Sequence, residues 1–414
     1  MKVLLTHPNF PGQLRHVAAA LGSRPDNVVV FAASTPRNDW RIPGVSKLRY
    51  VPQAADGLTP HRLVGPVQEA VLQGEALHRA AHGLKSRGFR PDVIYGNSGW
   101  GSTLYLKDVW PDVPLMCYFE WFYDPLGADA RFEERPGADA RYEPPKLMRT
   151  RNAVIFNDLW ACDQGLSPTR WQWSQFPQAF RPKIEVLHDG VDTEFFSPAP
   201  GAPPGLDLPG ADLTGVDEIV TFAGRGMEPY RGFPQFMEAA ALVLARRPRA
   251  HVVVAGSERV CYGAPREDGK TWKEHMLEVL DLDRERLHFV GSLPYGRYRD
   301  LLRASSVHVY LTRPFVLSWS FIEAMACGCA LAASDTEPVR EVVAHGQSAL
   351  LCDFFRPAQF AEAICTLLDD RALAARLGAA ARQTALERYD LKTLLPRHLE
   401  LLRRTARLPR NRRG

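Results

Sequence analysis

The chain has 414 residues, 45% of them hydrophobic, and 51 lysines and arginines against 47 acidic residues leave a net charge of +4. That length suits two domains of about 200 residues, and so mild a charge argues against a nucleic-acid partner. The seven cysteines are scattered, with no Cys-x-x-Cys pair and no histidine at zinc spacing; this leaves metal and disulfide roles unsupported and fits a reducing, cytoplasmic setting.

Met1-Lys-Val-Leu-Leu-Thr-His7 opens as a strand rather than a signal peptide, because no long apolar run follows. No stretch approaches the ~20 apolar residues of a membrane span. Short β-branched runs predict strands at 3–6, 27–33, 92–95, 114–119, 153–156 and 184–188. More follow at 218–223, 251–255, 287–290, 307–311, 330–333 and 349–351. Several are continuous apolar runs, as in strands buried on both faces of a parallel sheet. A helix is expected over 234–247, with proline at its start and Phe236, Ala240, Val243 and Leu244 on one face. Further helices are expected at 358–368, 371–389 and 391–404. The alternation predicts a doubly wound α/β architecture in both halves.

A Pro- and Gly-rich stretch without periodicity, 197–210, reads as a connector. It divides the chain into a first domain (1–196), a linker (197–215) and a second domain (216–389). A near repeat, Gly127-Ala-Asp-Ala-Arg-Phe-Glu133 and Gly137-Ala-Asp-Ala-Arg-Tyr-Glu143, reads as a loop insertion, two copies being too few for a solenoid. Residues 403–414 carry six arginines. Such a basic tail, 406–414, either favours an anionic membrane surface or is simply solvated.

The segment Arg313-Pro-Phe-Val-Leu-Ser-Trp-Ser-Phe-Ile-Glu-Ala-Met-Ala-Cys-Gly328 carries the most chemistry. The strand 307–311 runs into a polar and aromatic turn that opens a helix at Ser318, Trp319 and Ser320, and Gly328 ends it. A helix start placed there aims backbone N–H groups and the positive end of the helix dipole at one spot, which suits a phosphate. Glu323, one turn inside, is placed to accept hydrogen bonds from a ribose. Ser320-x-x-Glu323 is equally a capping box, and the segment alone leaves both readings open.

These residues resemble the donor-site signature of family-four retaining glycosyltransferases, which have the GT-B fold. That signature is a glutamate, seven residues, a second glutamate and then Ala-Met-Ala-x-Gly. Glu323-Ala-Met-Ala-Cys-Gly328 fits the second half, and Phe315 stands where the first glutamate, the sugar contact, belongs. Gly224-Arg-Gly-Met-Glu-Pro-Tyr-Arg-Gly232 resembles the family's Gly-Arg-x-x-x-x-Lys-Gly, whose two cations grip the donor diphosphate. Arg225 matches directly, and Arg231 stands one residue beyond the expected lysine. Arginine keeps the phosphate chemistry through a bidentate contact. The alternative is two surface arginines in a polar loop.

Val186-Leu-His-Asp-Gly-Val-Asp192 resembles the family's interdomain segment, and is also an ordinary strand with a turn at Asp189-Gly190. Ser292-Leu-Pro-Tyr295 matches the region whose backbone reads the base, hence Leu293. Gly12 matches the glycine of a turn facing the donor phosphate and acceptor. That turn is not Gly-x-Gly-x-x-Gly, so a dinucleotide site is disfavoured. The strand 114–119 usually presents an active-site histidine; here Glu120 is the nearest polar residue, for the donor sugar or the acceptor hydroxyl.

The resemblance implies two Rossmann-like domains facing across a cleft, with a last helix, about 390–405, returning to the first domain. It implies transfer of a sugar from a nucleotide-diphosphate donor, UDP favoured, to a hydroxyl of a glycan, lipid-linked or small-molecule acceptor. Anomeric configuration is retained, without a cofactor or metal. Two rivals stay open: a non-catalytic nucleotide-sugar-binding subunit, motivated by the missing glutamate and histidine, and a GT-B nucleotide-sugar epimerase.

Overall fold

The computed structural model describes residues 1–35, 37, 39–53, 60–127, 129–132, 145–199, 206–208 and 210–409. Most of the near repeat, part of the connector and the last five residues of the basic tail therefore lie outside the described residues. The chain divides into two units. One comprises residues 1–130, 145–189 and 392–409, and the other residues 190–391 together with Arg131 and Phe132.

Seven parallel strands build the first unit: β1 (Lys2–Thr6), β2 (Val28–Ala33), β3 (Val45–Arg49), β4 (Val93–Asn97), β5 (Leu115–Tyr118), β6 (Gln164–Ser167) and β7 (Ile184–Val186). Their order is β3-β2-β1-β4-β5-β6-β7. In register, Leu4 lies between Val30 and Ile94. The continuous apolar runs follow from burial on both faces. On one face Leu5, Phe31, Tyr95 and Met116 pack with Leu394, Leu399, Leu401 and Leu402 of the last helix, Leu391–Ala406. On the other, Leu4, Ile94 and Leu115 pack with Leu77 and Ala81 of the helix Gly65–Ser86.

The second unit starts with a two-stranded hairpin, β8 (Asp207–Leu208) and β9 (Ala211–Asp212). Its main sheet is parallel: β10 (Glu218–Gly226), β11 (Ala250–Ser257), β12 (Leu287–Gly291), β13 (Val307–Tyr310), β14 (Leu331–Ser334) and β15 (Leu350–Cys352). The order is β12-β11-β10-β13-β14-β15. Helices Phe233–Arg246 and Pro357–Asp369 bury Phe236, Val243, Ile364 and Leu367 against Phe222, Val254 and Val309. Helix Trp319–Ala326 buries Phe321, Ile322 and Met325 against Leu331 and Ala333. In both sheets the winding reverses beside the first strand, between β1 and β4 and between β10 and β13. In a doubly wound sheet the carboxyl ends of the strands at such a reversal are where ligands bind.

The expected strand at 153–156 is instead the middle of a helix, Pro145–Ala161. Val154, Ile155 and Leu159 are buried while Phe156 and Trp160 are exposed, a helical period. Four apolar residues in a row do not separate the two periods. The strands Val45–Arg49 and Gln164–Ser167 escaped expectation because both are short and rich in polar residues. The chain enters the second unit at Gly190, inside the segment expected to close the first domain. Val191 hydrogen-bonds Tyr389 and Leu391, and Phe196 packs with Phe321, which fixes 190–196 there. Among the described residues no helix is long and apolar enough to cross a membrane.

Candidate functional site

The loop leaving β10 carries both arginines. Gly232 has φ +63°, and a Cβ there would sit 2.4 Å from the Leu311 side chain, so glycine lets this loop close on the end of β13. Arg225 is exposed, and its carbonyl accepts the Ser257 hydroxyl at 2.8 Å. Arg231 is buried. Its Nη1 donates to Thr312 Oγ1 and the Val316 carbonyl, both at 2.8 Å, and to Tyr310 Oη at 3.3 Å. The guanidinium lies 5.3 Å from the Tyr262 ring centre and 6.0 Å from that of Phe315. Burial opposes its charge, but Tyr310, Tyr262 and Glu228 outweigh that and raise its pKa.

Glu228 anchors the loop from beneath. It is fully buried, and Oε2 accepts the N–H groups of Cys261 and Tyr262 at 2.5 and 2.6 Å. Oε1 has no hydrogen-bond partner among the described residues. Burial pushes this carboxyl pKa up, against the pull of the two N–H groups and of Arg231 and Arg225. The carboxylate thereby fastens the segment after β11 to the segment after β10.

The third contributor follows β13. Phe315 is buried, edge-on to the rings of Tyr230 at 5.3 Å and Tyr262 at 5.2 Å. Ser318 caps the helix Trp319–Ala326: its Oγ accepts the Ser320 N–H, and its own N–H donates to Tyr310 Oη at 2.9 Å. The capping-box reading of Ser320 and Glu323 is thereby corrected. Ser320 already lies inside the helix, its hydroxyl bonded to Ser318 Oγ at 2.8 Å. Two of the expected phosphate-facing N–H groups, those of Ser318 and Ser320, have partners within the protein; Trp319 between them is 38% exposed. Glu323 is buried and accepts the Tyr295 hydroxyl at Oε1.

Tyr295 opens the helix Tyr295–Ala304, and its ring stacks on Phe195 at 5.7 Å. Leu293, just before it, is half-buried and packs on the cluster of Leu208, Ile219 and Val253. Tyr310 joins the parts, since one hydroxyl receives both Arg231 and the Ser318 N–H. Arg231, Phe315 and Ser318 are therefore assembled at the reversal between β10 and β13, with Arg225 on the same loop as Arg231. Glu228, Tyr262, Tyr310 and Tyr295 went unnoticed in the sequence. Glu228 reaches Tyr262 34 residues on, Tyr295 reaches Glu323 28 residues on and Tyr310 meets Arg231 from 79 residues away, so no local pattern announces those contacts.

In the first unit Gly12 has φ +50°, and a Cβ there would lie 2.6 Å from the His7 ring. Glu120 is half-buried; the Gln13 side chain donates to its Oε2 at 3.4 Å, and the Gln172 side chain donates to its carbonyl at 2.8 Å. The ends of β1, β5 and β6 thus bring Gln13, Glu120 and Gln172 together. Among the described residues no group of three or more His, Cys, Asp or Glu is placed to hold a metal ion.

Two family models match the chain. Residues 25–196 match the Glycosyl transferase family 4 group, and residues 212–384 match Glycosyl transferases group 1. A D-inositol 3-phosphate glycosyltransferase of Thermobispora bispora is 30% identical over 204 residues, 48% of this chain and 45% of that one. The chain spans about half the length of the first curated relatives it matches. Among solved structures, a sucrose-phosphate synthase from Thermosynechococcus elongatus is 18% identical, with a TM-score of 0.74 over 98% of each chain. Anabaena HepE in complex with UDP-glucose is 17% identical, with a TM-score of 0.69 over 98% of this chain and 100% of that one. These likenesses establish the GT-B type of fold.

Proposed function

Because the chain belongs to the family-four, group 1 glycosyltransferases, we propose that it moves a sugar from a nucleoside-diphosphate sugar, UDP favoured, to an acceptor hydroxyl with retained configuration. The acceptor is a glycan, a lipid-linked sugar or a small molecule, and no cofactor or metal takes part. The observation that carries this reading is the seating of Arg231. A charged guanidinium is fixed by three acceptors at the carboxyl end of the central strands, on the same loop as the exposed Arg225.

As the glycosidic bond breaks, negative charge develops on the leaving diphosphate. Arg225, Arg231 and the helix start at Trp319 stabilise it there, and because the donors are already positioned no reorganisation is spent at the moment of reaction. Glu323, oriented by Tyr295, holds the ribose. Leu293 lies beside the base. In this retaining scheme the departing phosphate oxygen takes the proton from the acceptor hydroxyl on the same face. No protein nucleophile is then needed. Glu120, with Gln13 and Gln172, orients the acceptor or the sugar, and Gly12 allows the close turn beside them.

The test uses the full-length purified chain with UDP-, GDP- and ADP-sugars and EDTA present. Nucleoside diphosphate release that needs an acceptor, with a product of the summed mass, supports transfer. Donor consumption without acceptor to give an isomerised sugar would identify an epimerase. Binding without any turnover would favour the non-catalytic reading.

A further inference from the structure

Among the described residues, the helix Pro145–Ala161 has one face largely exposed. Phe156 is 43% exposed and Trp160, one turn later, is 70% exposed. The Phe156 ring is 5.2 Å from Phe122 and 6.3 Å from Phe180, so the aromatic surface continues onto the segment before β7. Lys183 sits over Phe180 at 5.9 Å and donates to the Cys162 carbonyl at 3.0 Å, just past the helix end. Lys146 and Arg149 are exposed at the other end.

The charge carried by this helix and the segments that follow it, to residue 185, is one-sided. Residues 145–185 contain six lysines and arginines and three acidic residues. None of the three acids offsets the cations at the surface. Asp158 is fully buried, bonded to Ser98, Thr103 and the Gly99 N–H. Asp163 is paired with Lys107 at 2.6 Å, and Glu185 with Arg404. Aromatic rings that stand out of a helix between cations suit the boundary between headgroups and acyl chains. There Trp and Phe partition into the interface while Lys and Arg meet anionic headgroups.

We propose that this face, centred on Phe156 and Trp160, docks the protein on an anionic membrane surface. The occupant is a lipid bilayer because exposed aromatic rings beside exposed cations match acyl chains lying under anionic headgroups. The inference does not depend on the proposed reaction, since its readout is binding.

The experiment is co-sedimentation of the full chain with vesicles of phosphatidylcholine alone and of phosphatidylcholine with phosphatidylglycerol. Binding is expected only to the second, and to fade as salt is raised. Phe156→Ser with Trp160→Ser, and separately Lys146→Glu with Arg149→Glu, are expected to lower vesicle affinity at least about tenfold. UDP binding should stay unchanged in both, and the melting temperature should hold in the Lys146→Glu, Arg149→Glu variant, whereas Phe156→Ser gives up contacts with Phe122 and Phe180 and can melt somewhat earlier. A chain ending at residue 409 should still bind. The proposal is overturned if neither vesicle is bound, or if both double variants bind as well as the parent. It is also overturned if binding disappears with residues 410–414, or if light scattering shows a dimer that the Phe156 and Trp160 changes dissociate.

Discussion

Tyr295 donates its phenolic hydrogen bond to the buried carboxylate of Glu323, linking the start of one helix to the interior of another. Glutamine in place of Glu323 still offers an oxygen to that hydroxyl, so Glu323→Gln should fold as the parent does. It removes the charge that makes a carboxylate a strong acceptor for ribose hydroxyls. UDP affinity should fall by about 1.5–3 kcal/mol, read by titration calorimetry beside a melting curve. Unchanged affinity would restrict Glu323 to orienting Tyr295.

The two arginines differ in surroundings and should differ in phenotype. Arg225 is exposed, so Arg225→Ala should leave stability within about 0.5 kcal/mol and cut turnover ~10²–10³-fold. Arg231→Ala should lose turnover and stability together. It strips the donor from Thr312, Val316 and Tyr310, a cost of about 1–3 kcal/mol. Paired kinetic and urea-unfolding measurements separate the two. Full activity in Arg225→Ala would contradict its placement at the diphosphate.

Glu228→Ala should release two half-buried N–H groups, those of Cys261 and Tyr262. The expected loss is about 1–3 kcal/mol, with faster amide exchange at both residues. Glu228→Gln can keep both acceptor contacts and should exchange slowly. Equal exchange in the alanine variant and the parent would mean the loop is held elsewhere.

Asp158 gives a pH dependence with a defined sign. Burial pushes its carboxyl pKa up to about 6 from the ordinary 3.8, although Thr103, Ser98 and the Gly99 N–H pull the other way. Between pH ~4 and ~6 the folded chain holds a proton that the unfolded chain has released. Stability contributed by this group therefore falls as pH rises through that window, by about 3 kcal/mol. Asp158→Asn should lose the slope. The difference between the parent and variant unfolding energies, measured from pH 4 to 7, isolates it, and a constant difference would refute the shift.

Phe315→Ala should melt early, by about 3–5 kcal/mol, because it empties the space between Tyr230 and Tyr262. If the variant keeps its stability and only changes donor choice, Phe315 meets the sugar directly.

Strands with continuous apolar runs, such as Val28–Ala33 and Ala250–Ser257, were legible because burial on both faces leaves no polar alternation. The helix over Ala153 to Phe156 was not, since a four-residue apolar run fits either period. Arg225 and Arg231 were findable through the resemblance of the segment 224–232 to the family's motif, and Glu323 through its place one turn inside a helix that follows a strand. Their supports were not: Glu228 reaches Cys261 and Arg231 reaches Thr312 only after the sheet has folded. The capping error has the same origin. Ser318 and Ser320 are both plausible caps, and it is the Tyr310 hydroxyl, bonded to the Ser318 N–H, that favours Ser318.

The closing of the first unit's core by Leu394, Leu399, Leu401 and Leu402 bears on how the chain is made. Apart from Arg131 and Phe132, which emerge earlier, the second unit is one stretch, 190–391, and its ends meet where Val191 bonds to Tyr389 and Leu391. It can be finished on the ribosome as soon as it has emerged. The first unit, synthesised earlier, must wait with the faces of Leu5 and Phe31 partly bare until Leu391–Ala406 arrives. Of the two, the half translated first is thus the one exposed longest to chaperones and proteases.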